Sequence, residues 1–134
     1  MCSSAKFFGR LYKIKESLEK EGHEVLLPSM RDFHHLEETA LAEIHHDLIR
    51  EHFRKIDKSD AIYVANYDKD GMGGYIGGSV FLEIGKAFDR GIPIFLMNAV
   101  PQQAVYREEL LAMRPIVIGE NWERLEQHSH SKSK

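Results

Sequence analysis

The sequence has little of what marks a secreted or membrane-spanning protein. Its one cysteine, Cys2, excludes an internal disulfide and suits a reducing compartment. No apolar run approaches the ~20 residues that a membrane-spanning helix requires, and no signal-peptide pattern is present. We therefore expect a cytoplasmic protein with no membrane partner.

The chain also lacks an excess of positive charge. Its formal net charge is -3, whereas a nucleic-acid-binding surface needs clustered Lys and Arg, so we expect no nucleic-acid partner. Hydrophobic residues make up 43% of the 134 residues, which is typical of one soluble domain with one core. We assign residues 1–126 to this domain and the polar residues 127–134 to a disordered tail.

Helical and strand patterns alternate along the domain. Apolar residues recur at helical spacing over 7–21, 36–56, 79–88 and 104–113, and short apolar runs predict strands over 23–27, 60–65, 92–97 and 116–118. This alternation predicts an α/β fold, a single domain of three layers with helices on both faces of a parallel sheet. A first helix that begins near Ser4 leaves only residues 1–3 before it, so we expect a short or incomplete first strand.

A glycine-rich loop follows the strand at 60–65 and opens the next helix. Residues 67–78 contain five glycines, which let backbone N–H groups approach an anion beside a helix N-terminus. Ligands of open α/β sheets bind at this edge, the carboxyl ends of the strands. We expect Ser79 to be the N-cap and Glu83 to lie in the first turn, where the helix dipole keeps a nucleophilic carboxylate ionised.

The spacing of the glycines alone does not decide which class of ligand the loop binds. The loop does not match the phosphate-binding P-loop, because no Gly-Lys-Ser/Thr follows. It does not match the dinucleotide fingerprint either, because Ile76 stands at the third glycine position. A loop that only turns the chain, with Glu83 as a solvated acid, is the alternative.

The run from 59 to 98, SDAIYVANYDKDGMGGYIGGSVFLEIGKAFDRGIPIFLMN, resembles the core of the nucleoside 2-deoxyribosyltransferase superfamily, which includes the 2-deoxynucleoside 5-monophosphate N-glycosidases. CSSAKFF and GHEVLLP resemble the family's first loop and second strand, so the resemblance extends from Cys2 to about Ile118. It implies a flavodoxin-like or Rossmann-like fold, a homodimer or higher homo-oligomer, and a small-molecule nucleoside or nucleotide partner; we expect no cofactor.

The resemblance also implies a reaction, cleavage or transfer of the N-glycosidic bond of a (deoxy)nucleoside or its 5-monophosphate. Glu83 stands at the position of the family's nucleophile and would form a covalent glycosyl-enzyme intermediate. Contacts with the sugar, its phosphate or the rest of the pocket are implied for Ser3, Ser4, Lys6, Gly77, Gly78 and Ser79. Lys6 would bind phosphate as a point charge. Ser4 is alternatively a plain helix N-cap.

Two positions depart from the family pattern. His52 stands where the family has an acid that assists the leaving base, and Gly77 stands where the transferases have a second aspartate. With an ordinary pKa near ~6.5, His52 is a candidate proton donor, or else a helix residue that only contacts its neighbours. The family's strand-one aromatic residue would precede Met1. A non-catalytic nucleotide-binding module is therefore the alternative function.

Two further residues are candidate ligand contacts. Asn66 ends a strand at the ligand-binding edge, although asparagine also favours such turns. Tyr75 either stacks on a base or packs against the loop. The histidines near the second helix come with no cysteine and no HExxH spacing, so we expect no metal site.

Overall fold

The computed structural model describes residues 8–28, 38–69, 73–102 and 104–125. In chain order, the elements are α1 (Phe8–Lys20), α2 (Glu38–Asp57), β1 (Ile62–Val64), α3 (Gly78–Asp89), β2 (Ile94–Leu96), α4 (Arg107–Ala112) and β3 (Ile116–Val117). The predicted α/β class with a parallel sheet is confirmed, and the helices begin and end within a few residues of their predicted bounds. None of these helices has the length and apolar character needed to cross a membrane.

The three strands form one open parallel sheet in the order β1-β2-β3. Ile62 lies opposite Ile94, and Phe95 lies opposite Ile116. Parallel neighbours cannot be joined by a tight hairpin, so a helix crosses between them, α3 after β1 and α4 after β2. Every residue of β1 and β2 is buried, which explains why their sequences are continuous apolar runs.

Successive strand residues point to opposite faces of this sheet, and each face carries its own apolar cluster. On one face, Ile62, Val64, Ile94 and Leu96 pack with residues of α2, α3 and α4. On the other, Tyr63, Ala65 and Phe95 pack with Leu11, Ile14 and Leu18 of α1. The face that carries α2 and α3 is the one on which the candidate catalytic residues lie.

The predicted strand over residues 23–27 is not present among the described residues, none of which pairs with these residues as a strand. Their apolar side chains contribute to the core instead. Val25 and Leu27 pack against the cluster that contains α1, and the Leu27 carbonyl accepts a hydrogen bond from Lys55 Nζ at 2.8 Å. A segment buried beside a helix and a strand paired in a sheet are both rich in apolar residues. Composition alone therefore does not distinguish the two. The predicted first strand and the tail at 127–134 lie outside the described residues.

Candidate functional site

Two asparagines, Asn66 and Asn98, are hydrogen-bonded to each other at the carboxyl edge of the sheet. Asn66 follows β1 and is 1% exposed. Its Nδ2 donates to the Asn98 carbonyl at 2.8 Å, and its Oδ1 accepts from the Asn98 backbone N–H at 2.8 Å. The Asn98 side chain in turn donates to the Asn66 carbonyl at 2.9 Å. The Asn66 amide is therefore committed to the backbone, and of its two interpretations the geometry favours the turn over the ligand contact.

The glycine loop folds back onto this edge at Gly74. The Gly74 carbonyl accepts from Asn66 Nδ2 at 3.3 Å, and its N–H donates to Asp68 Oδ1 at 2.9 Å. Gly74 has a φ of +66°, and a Cβ placed on it would lie 2.5 Å from the Ala99 carbonyl oxygen. Only glycine fits there, because both the backbone conformation and the close approach exclude a side chain.

Tyr75 packs inside the same loop. A Cβ placed on Gly77 would lie 3.0 Å from the Tyr75 hydroxyl oxygen and 3.3 Å from its Cε1, so the ring fills the space beside Gly77. Lys69 Nζ lies 4.5 Å from the centre of the same ring, within the range of a cation–π contact. These contacts favour the interpretation that Tyr75 orders the loop.

The N-cap of α3 is Gly77, with an extended backbone (φ -82°, ψ 178°) and no capping side chain. The prediction that Ser79 caps this helix is wrong. An N-cap residue has a non-helical backbone, whereas Ser79 is already the second residue of α3 and is exposed. Gly78 is exposed beside it. The backbone of Gly77, Gly78 and Ser79 thus forms the start of the helix without a side-chain cap.

The position of Glu83 in its helix also differs from the prediction. Because α3 begins at Gly78, Glu83 falls in the second turn, and no acid lies in the first. The helix-dipole effect fades within the first turn, so it is not the main influence on this carboxylate. The Glu83 side chain instead faces α2.

The structure brings the two predicted catalytic residues together. Oε2 of Glu83, on α3, lies 3.7 Å from Nε2 of His52, on α2. His52 is 5% exposed, and the Glu83 side chain is 13% exposed with its Oε2 fully buried. Packing of α2 on α3 positions the pair, since Phe53 and Ile56 of α2 contact the cluster that holds Val80 and Ile84 of α3.

Burial controls the charge of His52. It lowers the pKa of this imidazole from 6.5 to about 4; the positive charge of Lys55 acts in the same direction, and Glu51 acts against both. A carboxylate 3.7 Å away attracts a proton, but the loss of solvent around a nearly inaccessible ring is the larger effect. His52 is therefore neutral near pH 7, which does not suit the proton-donor role expected from an ordinary histidine pKa.

Of the remaining predicted contacts, Ser3, Ser4 and Lys6 lie outside the described residues. Two residues that shape the site were not predicted. Asn98 follows β2 as Asn66 follows β1, and this repeated pattern was the signal that would have found it. Tyr106, whose hydroxyl donates to the Ile76 carbonyl of the glycine loop, carries no such signal, because only the tertiary fold brings it there.

Comparison of the chain with protein-family models, with curated proteins and with solved structures found no match. The resemblance to the nucleoside 2-deoxyribosyltransferase superfamily therefore stays a prediction. Within residues 8–28, 38–69, 73–102 and 104–125, no three His, Cys, Asp or Glu side chains are grouped as metal ligands.

Proposed function

We propose that this protein cleaves or transfers the N-glycosidic bond of a (deoxy)nucleoside or its 5-monophosphate, with Glu83 as the nucleophile. The observation that carries the proposal is the 3.7 Å distance between Oε2 of Glu83, on the helix that opens directly after the glycine loop, and Nε2 of His52 on α2. A carboxylate that keeps some exposure while one oxygen faces a buried imidazole is a suitable nucleophile, because a neighbouring group orients it.

The reaction proceeds in two displacements at the anomeric carbon. A Glu83 oxygen forms a bond to C1′ while the C1′–N bond breaks, and its electron pair leaves on the base, which takes a proton from water. The glycosyl ester is then attacked at C1′ by water, or by a second base, and the Glu83 carboxylate is released. With water as acceptor, the products are the free base and the free sugar or sugar phosphate.

The surroundings of the pair support this ligand class. The glycine loop follows β1 at the carboxyl edge of a parallel sheet, where open α/β sheets bind their ligands. Apolar clusters on both faces of the sheet support a three-layer, flavodoxin-like fold. We place the protein in the nucleoside 2-deoxyribosyltransferase superfamily, as a cytoplasmic homo-oligomer, on the sequence motifs that resemble it.

A non-catalytic nucleotide-binding module is the second candidate. Two observations favour it: burial holds the pKa of His52 at about 4, and Tyr75 fills space beside Gly77. Positions 52 and 77 both carry acids in the enzymes that the sequence resembles, whereas this chain has histidine at 52 and glycine at 77. A module of this kind would keep the loop and bind the ligand without turnover.

The deciding experiment is base release. The protein is incubated with a panel of nucleosides, deoxynucleosides and their monophosphates, and free base is measured by chromatography. We expect release with at least one substrate and a loss of about 10³-fold or more in Glu83→Ala and Glu83→Gln. Glu109→Gln, at an exposed position on α4, is the matched control and should keep full activity.

Two outcomes would contradict the enzyme. Binding of a panel member by calorimetry without any base release would favour the module. Unchanged turnover in a folded Glu83→Ala variant would remove Glu83 from the mechanism.

A further inference from the structure

The position of His52 separates two roles that a histidine beside a nucleophile can have. A general acid has to reach the departing base, directly or through one water. A positioning residue has to reach only the nucleophile. His52 is 5% exposed on the inner side of α2, and its Nε2 lies 3.7 Å from Glu83 Oε2, an oxygen that is itself buried. This geometry meets the second requirement.

We propose that His52 is a positioning residue, whose neutral Nε2–H donates to Glu83 Oε2 and leaves Oε1 as the oxygen that attacks the sugar. The role rests on the proposed function of Glu83. The observed 3.7 Å is about 0.5 Å longer than a hydrogen bond between these atoms. Such contacts are often long without substrate and shorten in the complex.

The charges around the pair agree with a neutral donor. Lys55 and Glu51 of α2 act on His52 in opposite directions, Glu83 faces it from α3, and burial keeps the imidazole uncharged near pH 7. A neutral N–H orients a carboxylate without cancelling its charge. An imidazolium in the same place would pair with that charge and weaken the nucleophile.

One consequence concerns the substrate. If His52 gives no proton to the leaving base, the base takes it from water, and bases that leave readily without protonation should react faster. Substrate preference should therefore follow the leaving ability of the base. A His52 variant should impair every substrate by a similar factor.

The first test needs no turnover. The ring nitrogens of ¹⁵N-labelled His52 are observed by NMR in the full chain between pH 8 and pH 5. We expect a neutral ring protonated on Nε2 throughout, and a shift of the Nε2–H resonance in Glu83→Ala, with the exposed His46 unchanged. An imidazolium at pH 7, a proton on Nδ1, or a resonance insensitive to Glu83→Ala would overturn the proposal.

The second test uses two substrates, the best nucleotide of the panel and a 4-nitrophenyl 2-deoxyriboside, whose leaving group needs no protonation. We expect His52→Ala to lower kcat by about 10²-fold on both, because a misplaced nucleophile fails with any leaving group. His52→Gln should recover most of kcat through its amide N–H. If His52→Ala had the wild-type kcat on the nitrophenyl substrate but a lowered kcat on the nucleotide, His52 would instead be a general acid. A folded His52→Gln as slow as His52→Ala would also contradict positioning.

The two tests distinguish this proposal from the proposed function. A wild-type protein that releases no base from any substrate refutes the function, and the NMR result still decides whether His52 donates to Glu83. An active protein whose His52 carries its proton on Nδ1 keeps the function and refutes the positioning role.

Discussion

Asn66 and Asn98 hydrogen-bond to each other's backbone, and so fasten the carboxyl end of β1 to that of β2. The exchange is unequal. The Asn66 amide makes contacts at 2.8 Å to both the carbonyl and the N–H of Asn98, whereas the Asn98 side chain makes one contact at 2.9 Å in return. Asn66 is buried and Asn98 is exposed. The two residues therefore contribute differently to stability.

Asn66→Ala should lower the free energy of unfolding by about 2–3 kcal/mol, because it removes the contacts with Asn98 and Gly74 and leaves backbone groups that are buried or partly buried unpaired. Asn98→Ala is the matched control and should cost about 1 kcal/mol, because it removes one partly exposed hydrogen bond. Urea unfolding followed by circular dichroism measures both values. Equal costs for the two variants would contradict the unequal arrangement.

Gly74→Ala should destabilise the protein by about 2 kcal/mol or more, since a Cβ would lie 2.5 Å from the Ala99 carbonyl oxygen and the φ of +66° is strained for alanine. Gly85→Ala is the control. Gly85 lies inside α3 with no atom within 4 Å of an added Cβ, so this change should stabilise by about 0.5–1 kcal/mol. Thermal and urea unfolding of the two variants should thus shift in opposite directions.

Stability should fall as the pH drops from about 6.5 to about 4. The pKa of His52 is lower in the folded chain than in the unfolded chain. In this pH window the unfolded chain therefore binds a proton at His52, whereas the folded chain does not. The contribution of neutral His52 to the free energy of unfolding is fully present above pH 6.5. Its loss reaches about 3 kcal/mol below pH 4. The measurement is the difference in unfolding free energy between wild type and His52→Gln across this range.

His46→Gln controls for the pH series, because His46 is an exposed residue of the same helix. A wild-type curve parallel to that of His52→Gln would show that His52 titrates normally in the folded state.

Tyr106→Phe should loosen the glycine loop. The variant loses the hydrogen bond from the hydroxyl to the Ile76 carbonyl and keeps the ring contact with Phe81, whose centre lies 4.5 Å away. We expect a cost of about 1 kcal/mol and faster hydrogen exchange at the Tyr75 amide, which donates to the Tyr67 carbonyl at 3.0 Å. Tyr12→Phe, at an exposed position on α1, should change neither value.

The order of helices and strands was predictable because the apolar periods differ between the two. The buried strands, such as Ile62–Val64 and Ile94–Leu96, are short runs of large apolar residues, and Val80, Ile84 and Ala87 recur at helical spacing on the buried face of α3. The proximity of His52 and Glu83 was not visible in these patterns. It depends on which face of α2 packs against α3.

The errors have physical causes. In Gly77-Gly78-Ser79 the strongest capping residue stands third, so propensity predicts a later helix start than the extended backbone of Gly77 allows. That error moved Glu83 into the first turn. The charge of His52 was mistaken for a related reason, since its pKa depends on burial between two helices and not on its neighbours in sequence.

The contact between Tyr75 and Gly77 constrains how this chain can change. An aspartate at 77 would suit the N-cap of α3, which lacks a capping side chain, but even its Cβ would lie 3.0 Å from the Tyr75 hydroxyl oxygen. A smaller residue at 75 would release that space. The two substitutions should therefore be strongly non-additive. A mutational path from this protein to one with an aspartate at position 77 should therefore change position 75 first.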